Sequence, residues 1–457
     1  MKDKTILVAL KYFKGELNPF DMSALECALS LKPKKVIALS MAPLSVKSQL
    51  ESITRLGAEC VLVSDALYAG SDTIATAKVL EKAVQQFSPD IIFCGRQSID
   101  GDTSQVPPML AKRLGFDIKT KVIECDETGC KLRNGQAVKF ADKTVYTFEK
   151  IRTLRFPSIF SKVGQVKVLT NADLNLDKNE VGLLGSPTRV IKSYESSVGR
   201  RFCKFIQKEQ FCEIIEKALN KLHEQSAIKQ SEQKLERVYY VGNIKNVAES
   251  VALNAIELDI KGKSVEQVAD FIKKNHIKTV LWQDEEKLKV FAPQVAVLLG
   301  AGTCADCISF RVENNLLVMT RPAQGGTLTA DIICNSEVAF ATVRTAKKTQ
   351  SDIIFSIGYG AVQYIDKITE LAKKFNAEIT ASRKVVDGGK MPYSTQVGLT
   401  GKVVSPKVYV CFGLSGAVQH TCAISGAGTI IAINNDKNAR IFDYADYGIV
   451  CDVEQVL

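Results

Sequence analysis

The feature that most limits the fold of this chain is a rhythm. Short aliphatic, β-branched runs recur with helical spacing between them: ILVAL (6–10), VIALS (36–40), CVLVSD (60–65) and IIFCG (91–95). Near-continuous apolar runs of this length suit strands buried on both faces, and parallel strands need a long crossover, usually helical. The alternation predicts an α/β fold with a parallel sheet covered by helices on both sides. The rhythm returns at RVYYVG (237–242) and TVLW (279–282). It returns again in DIIFSIGYG (352–360), EITASR (378–383), VYVCFG (408–413), TIIAIN (429–434) and YGIVCD (447–452). This last set reads as a compact doubly wound domain, and the 457-residue length has room for about two to four domains.

An internal echo supports duplication. PMLAKRLG (108–115) and PQVAVLLG (293–300) share P-x-x-A-x-x-L-G, and each follows a strand and leads into a β-rich tail. The copies differ between strand and helix. The first has the polar, glycine-containing turn GRQSIDGDTSQV (95–106), the second QDEEKLKVFA (283–292). Only the first leaves backbone amides free for a phosphate at a helix N-terminus, which implies one nucleotide site in a duplicated pair. Within it Arg96, Thr103 and Ser104 are phosphate donors, while Asp100 and Asp102 are expected to face ribose or backbone amides. Between the repeats, ADLNLDKNEVGLLGSPT (172–188) reads as an extended loop. The Lys/Glu-rich stretch from Gln207 to about Glu236 reads as a helix with little to bury, packing across an interface or serving as a tether.

Composition narrows the function classes. A hydrophobic fraction of 46% and a charged fraction of 24% allow ordinary globular cores. The net charge of +10 is spread along the chain without a dense basic block interleaved with aromatics. It is read as solubility and docking to an acidic partner, not nucleic-acid binding. The opening MKDKTILVALKYFKG reads as a first strand, too short in its apolar run for a signal peptide, and no stretch suits a membrane span. Thirteen cysteines occur singly, as expected of reduced cytoplasmic thiols. The one C-x-x-C, Cys304 to Cys307, lacks a second pair or a nearby histidine, so buried thiols and no metal site are expected.

In a doubly wound sheet, ligands sit outside the carboxyl ends of the strands. Ser382-Arg383, the loop DGGKMPYSTQVGLTGK (387–402), Gly413 to His420 and Asn434 all fall there. Ser415 and His420 make a poor nucleophile and base: GLSGA departs from G-x-S-x-G, and no orienting acid is near in sequence. A helix cap would explain Ser415 but not the glycine-rich loop before it. A large cofactor explains all four segments.

These segments also carry a resemblance. SRKVVDGGKMPYSTQVGLTGKVVSPKVYVCFGLSGAVQH and IIAINNDKNARIFDYADYGIVCD resemble the FAD-binding domain of the electron-transfer flavoprotein α subunit, and LGAGTCADC, TRPAQGG and ATVR resemble its first domain. LNPFDMSALECAL, GRQSIDGDTSQVPPMLAKRLG and VGLLGSPT resemble the β subunit. The resemblance implies both subunits in one chain: a β-like nucleotide-binding domain at 1–206, a helical tether at 207–236, a shortened α-subunit N-terminal-like domain at 237–347 and the FAD-binding domain at 348–457. The implied fold is two related doubly wound domains of the adenine nucleotide α-hydrolase-like kind, followed by a compact doubly wound FAD domain.

It also implies site residues. FAD would be held by Ser382, Arg383, Gln396, Val397, Gly398, Thr400, Gly413, Ser415, Gly416, Ala417, Val418, Gln419 and His420. Asn434, Asp452 and Val453 would serve its adenosine end. Arg383 would lie against the flavin ring, Thr400 by N5, and His420 would donate to the C2 carbonyl, so that these three tune the redox chemistry; Ser415 and Gly416 would open a helix. AMP or a second FAD would be held by Ala9, Asn18, Pro19, Phe20, Asp21, Ser40, Met41, Gly95, Arg96, Gln97, Asp100, Gly101, Asp102, Thr103, Ser104, Gln105 and Val106. Phe156 and Ile159 would anchor a partner. Tyr359 stands where the family has an arginine, Leu399 where it has a glutamine, and GQAVKF (135–140) replaces an acidic segment.

The implied function is a cytoplasmic electron carrier. It would pass electrons from a flavin dehydrogenase of the acyl-CoA dehydrogenase type, as in fatty-acid β-oxidation, to another redox partner. Two alternatives stay open: a bifurcating NADH oxidoreductase with two FAD and a ferredoxin or flavodoxin acceptor, and a flavin-poor interaction protein.

Overall fold

The computed structural model describes residues 1–195, 199–220, 230–346 and 349–457. They fall into two compact units. The first contains residues 1–193, 230–324 and 330–344; the second contains residues 194–229, 325–329 and 345–457.

In the first unit, Thr5–Leu10 forms the middle of a nine-stranded sheet. On one side lie Lys35–Met41, Glu59–Val63 and Val166–Leu169; on the other lie Ile91–Gly95, Thr144–Phe148 and Asp117–Asp126, followed by Gly129–Leu132 and Ala137–Val138. The seven strands from Val166–Leu169 to Asp117–Asp126 run parallel, and the last two add on antiparallel. Ile6, Leu7 and Val8 are fully buried, as a strand covered on both faces requires. Chain order reverses direction between Thr5–Leu10 and Ile91–Gly95, so the crevice for a ligand lies between their carboxyl ends.

The echo is a structural repeat. A second parallel sheet runs Ala252–Glu257, Leu235–Val241, Thr279–Gln283, Ala339–Val343, Gly302–Cys307, which is the core order of the first sheet without its outer strands. The helices Val106–Leu114 and Glu286–Leu299 occupy matching places. Both end at a left-handed glycine, Gly115 at φ 68° and Gly300 at φ 61°, where a side chain would be strained. The strand pair beyond each helix even carries a register shift in the same place, at Tyr146/Phe148 and at Cys304/Cys307. Met109 of the first helix shares a core with Val295, Ala296 and Trp282 of the second copy. Cys304 and Cys307 are buried, as expected, because both lie in this bulged strand.

Segment 172–188 is not a free extended loop. It contains the short helix Asn171–Leu174, and its far end binds the start of the helix Thr73–Gln85. Ser186 Oγ accepts from Asp72 N (2.8 Å), and Thr188 donates from its amide and its hydroxyl to the Asp72 carboxylate (3.1 and 2.8 Å). Asp72 in turn caps Ile74 and Ala75.

The second unit has a six-stranded parallel sheet: Lys204–Phe205, Tyr447–Val450, Thr429–Asn434, Val408–Phe412, Ile353–Ile357, Glu378–Ala381. It begins earlier in the chain than the sequence reading placed it. Lys204–Phe205 is its edge strand, and the helix Phe211–Leu219, expected as a tether, buries Phe211, Ile214, Ile215 and Ala218 against its core with Phe355 and Phe412. Those four stand at i, i+3, i+4 and i+7, an apolar stripe masked by the surrounding lysines and glutamates. Residues 221–229 of the expected tether, and the expected boundary at 347/348, lie outside the described residues.

Candidate nucleotide and flavin sites

The crevice of the first unit opens into a cavity of about 850 Å³. Its floor is the carboxyl ends of the two central strands: Ala9 and Leu10 of one, Cys94 and Gly95 of the other. Asp21 pins these two ends together, accepting from Lys11 N (2.7 Å) and Gly95 N (2.9 Å). Burial pushes its carboxyl up to about 7, against the pull of those hydrogen bonds. Gly95 must be glycine, because a Cβ there would stand 2.1 Å from Asp21 Oδ1.

Around this floor are buried polar atoms with no hydrogen-bond partner among the described residues. Asn18 donates to Gln97 O (2.9 Å) but its buried Oδ1 is unpartnered; Gln105 accepts from Thr73 Oγ1 (3.1 Å) but its buried Nε2 is unpartnered. Asp100 pairs through one oxygen with Lys11 Nζ (3.5 Å), while its other oxygen is buried with no hydrogen bond of good geometry among the described residues. Where the second copy lines the cavity, buried Arg321 donates through Nε to Ala305 O (2.7 Å), and one guanidinium nitrogen has no partner among the described residues. Unpaired buried donors and acceptors around one cavity are costly unless a polar ligand satisfies them.

The second unit has a parallel sheet of a different strand order with a reversal of its own. Its strand order places the reversal between Ile353–Ile357 and Val408–Phe412. The loops leaving these strands touch: a Cβ on Gly358 would lie 2.2 Å from Gly413 O. Gly413 (φ 59°) and Gly416 (φ 81°) both take left-handed conformations, and a Cβ on Gly416 would meet Ile441 N at 2.1 Å. The loop from Gln396 to Lys402 links the strand end at Ala381 to this turn: Val397 N donates to Ala381 O (3.0 Å) and Leu399 N to Gln419 O (2.8 Å). Gln396 Nε2 donates to Thr400 Oγ1 (2.7 Å). His420 is buried with its Nε2 2.9 Å from the Tyr409 hydroxyl, and the Val397 backbone on its other side pulls weakly towards the charged form. Burial holds the imidazole down at about 4, so it is neutral near neutral pH.

The electron transfer flavoprotein domain matches residues 6–148 and again 248–349, and the electron transfer flavoprotein FAD-binding domain matches residues 348–425. The chain belongs to the electron transfer flavoprotein family. It is 42% identical over 192 residues to the electron transfer flavoprotein subunit beta of Thermoanaerobacterium thermosaccharolyticum, covering 38% of this chain and 74% of that protein. It is 36% identical over 212 residues to the alpha subunit of the same organism, covering 36% of this chain and 64% of that protein. A third relative, the acryloyl-CoA reductase electron transfer subunit beta of Anaerotignum propionicum, is 34% identical over 200 residues, covering 33% of this chain and 54% of that protein. A β-like part followed by an α-like part in one flavoprotein chain accounts for these matches.

The structure gathers most, not all, of the residues expected at the second nucleotide site. Ala9, Asn18, Asp21, Met41, Gly95, Gln97, Asp100, Gly101, Thr103, Ser104, Gln105 and Val106 line the cavity. Pro19, Phe20, Ser40, Arg96 and Asp102 are not among its lining residues. Arg96 is buried against Glu149 (3.6 Å) and over the Phe20 ring (5.3 Å), because a guanidinium taken out of water needs a carboxylate. Asp102 accepts from Gln97 Nε2 (2.8 Å) and so braces the loop from within. Lining residues that the sequence reading missed include Ser64, Asp65, Ala66, Tyr68 to Thr73 and Thr76 after the strand Glu59–Val63, and Thr303, Cys304, Ala305 and Arg321 of the second copy. The rule that ligands sit at carboxyl ends could have flagged the first group, since CVLVSD ends there; nothing in one copy's sequence points to the other copy's wall.

In the second unit the expected FAD residues stand at the carboxyl edge of the sheet. Ser382 precedes the short helix Arg383–Asp387, and Arg383 Nε bonds Asp387 (3.1 Å). Gly398 (φ 148°) approaches Gln419 O. Asn434 donates to Leu414 O (2.9 Å), fixing the turn that leads to Ser415, and Asp452 caps Glu454 ahead of buried Val453. One local expectation changes. Ser415 and Gly416 do not open the helix; it runs only from Val418 to Thr421 with Ala417 at its cap, because left-handed Gly416 breaks the helical path before it. Among the described residues, no helix is long and apolar enough to cross a membrane.

Proposed function

We propose that the chain is a one-chain electron carrier, with FAD in the crevice of the second unit and a nucleotide in the cavity of the first. The FAD would be held by the Gly413–His420 turn, the Gln396–Thr400 loop, Ser382-Arg383, and Asn434, Asp452 and Val453; bound, it supplies the reversible uptake of electrons that the side chains cannot. Arg383 and His420 would face the ring, the first as a cation and the second as a neutral hydrogen-bond donor. The observation that carries the reading is the contact of two glycine turns, Gly358 and Gly413, at the one reversal point of a sheet whose sequence matches the FAD-binding domain. Electrons would come from a flavin dehydrogenase of the acyl-CoA dehydrogenase type, docking at Phe156 and Ile159, which are 94% and 86% exposed.

A second reading has its own support. The first unit's cavity of about 850 Å³ is also lined by Arg321, one of whose buried guanidinium nitrogens has no hydrogen bond among the described residues. Arg321 would give a ligand longer than AMP a further cationic anchor, and this favours a second FAD and NADH-driven bifurcation. The nucleotide content of the purified chain separates the readings. One FAD and one AMP per chain fits the carrier; two FAD, with bleaching by NADH, fits the bifurcating enzyme. A colourless protein that takes up no FAD overturns both and leaves the flavin-poor interaction protein.

A further inference from the structure

One cation at the second unit's crevice is held by a ring and, among the described residues, by no acid. The Lys384 ammonium stands 3.9 Å from the centre of the Tyr359 ring. Tyr359 leaves the carboxyl end of Ile353–Ile357, Lys384 leaves that of Glu378–Ala381, and these strands are parallel neighbours. Both residues are therefore on the ligand edge of the sheet. Tyr359 sits between Gly358 and Gly360, the two residues whose backbones crowd Gly413 O across the reversal point (2.2 and 3.1 Å to an added Cβ). It is 61% exposed, so its side chain stands at the lip of the crevice.

The charges nearby are unequal in their availability. Arg383, the adjacent residue, is engaged by Asp387 at 3.1 Å. No carboxylate among the described residues forms an ion pair with Lys384. A ring face attracts an ammonium group and restricts where it points, but leaves its charge uncancelled. Two glycine turns let a ligand approach the backbone closely yet supply no full charge of their own. A dinucleotide lying there brings two phosphates, and a lysine is a point-charge partner for phosphate. We propose that Lys384, positioned by the Tyr359 ring, is the cation that receives the phosphates of the dinucleotide in this crevice. The inference rests on the reading that the second unit binds FAD.

The test uses the full chain stripped of flavin and titrated with FAD or riboflavin, which has no phosphate, following flavin fluorescence. Lys384→Ala should weaken FAD about tenfold, equal to about 1.4 kcal/mol, and leave riboflavin unchanged. It should also flatten the rise of the FAD dissociation constant with salt. Lys384→Arg should restore most of the FAD affinity. Tyr359→Ala should weaken FAD alone, by less, and have no effect in the Lys384→Ala background. Equal weakening of FAD and riboflavin would mean a structural role, and unchanged FAD affinity would mean the ammonium does not reach the phosphates; either result overturns the proposal. Failure of the unaltered chain to bind FAD would instead overturn the flavin reading beneath it.

Discussion

His420 and Tyr409 share a buried hydrogen bond, Nε2 to hydroxyl at 2.9 Å, beneath the glycine turn of the second unit. The bond joins a strand residue to a residue of a helix only four residues long. It orients the imidazole, and a hydroxyl that donates to Nε2 leaves the ring proton on Nδ1. Because burial lowers this histidine to about 4 from an ordinary 6.5, the unfolded chain takes up a proton that the folded chain refuses. Stability is full above pH 6.5 and falls as pH drops towards 4, by up to about 1.4 kcal/mol per pH unit. His420→Gln should remove that slope. Urea midpoints at pH 7.5 and pH 5 for the two proteins check it; an equal pH dependence in both would mean the imidazole is not buried in solution.

Gly358 offers a clean test of the crossing turns, since its φ of −87° is open to any residue. Only space forbids a side chain there. Gly358→Ala should push Gly413 away, cost about 1–3 kcal/mol in strain and weaken FAD while leaving the cavity of the first unit intact. FAD titration and the total nucleotide content, measured on one preparation, give the comparison.

Phe211 should behave as a core residue of the second unit. Phe211→Ala is expected to cost about 3–5 kcal/mol, and the loss should fall on the second unit alone. The chain has one tryptophan, Trp282, buried in the first unit, so its fluorescence reports that unit while flavin release reports the other. Flavin release should move to lower denaturant with the tryptophan transition unmoved.

The Arg383–Asp387 pair at 3.1 Å leaves the guanidinium partly neutralised beside the proposed flavin ring. Removing the cation, by Arg383→Ala, should lower the flavin midpoint potential, because reduction adds negative charge. Removing the counter-charge, by Asp387→Asn, should raise it. A unit charge near 4 Å at an effective dielectric of about 20 sets a ceiling of roughly 4 kcal/mol, and solvent at this half-exposed site reduces it further. Redox titration against a dye of known potential reads both signs.

Phe156 touches too little of its own chain to matter for folding. Phe156→Ser should leave the denaturant midpoint unchanged, within about 0.5 kcal/mol, and, on the proposed docking, slow electron uptake from a dehydrogenase of the acyl-CoA dehydrogenase type. Unaltered rates across a range of dehydrogenase concentrations would remove this loop from the docking surface.

Much of this protein is set by patterns that act locally. Fully buried runs such as Ile353–Ile357 and Val408–Phe412 became central strands because no other local structure hides continuous β-branched sequence so well. Gly115 and Gly300 end matching helices because left-handed φ is cheap only for glycine. Family membership, too, was legible in the turns GRQSIDGDTSQV and GLSGAVQH. What tertiary structure alone decided is which surfaces meet. The stripe Phe211, Ile214, Ile215, Ala218 shows that a helix must be covered, but not that the sheet of Phe355 and Phe412 covers it. Arg96 carried the signature of a phosphate ligand, yet Glu149, more than fifty residues later in sequence, took it into the core. Arg321 reached the cavity from the second copy, and Lys384 found Tyr359 across a strand pair. Periodicity and turn chemistry depend on near neighbours in the chain; desolvation and charge pairing depend on neighbours in space, and those are fixed only once the sheets have packed.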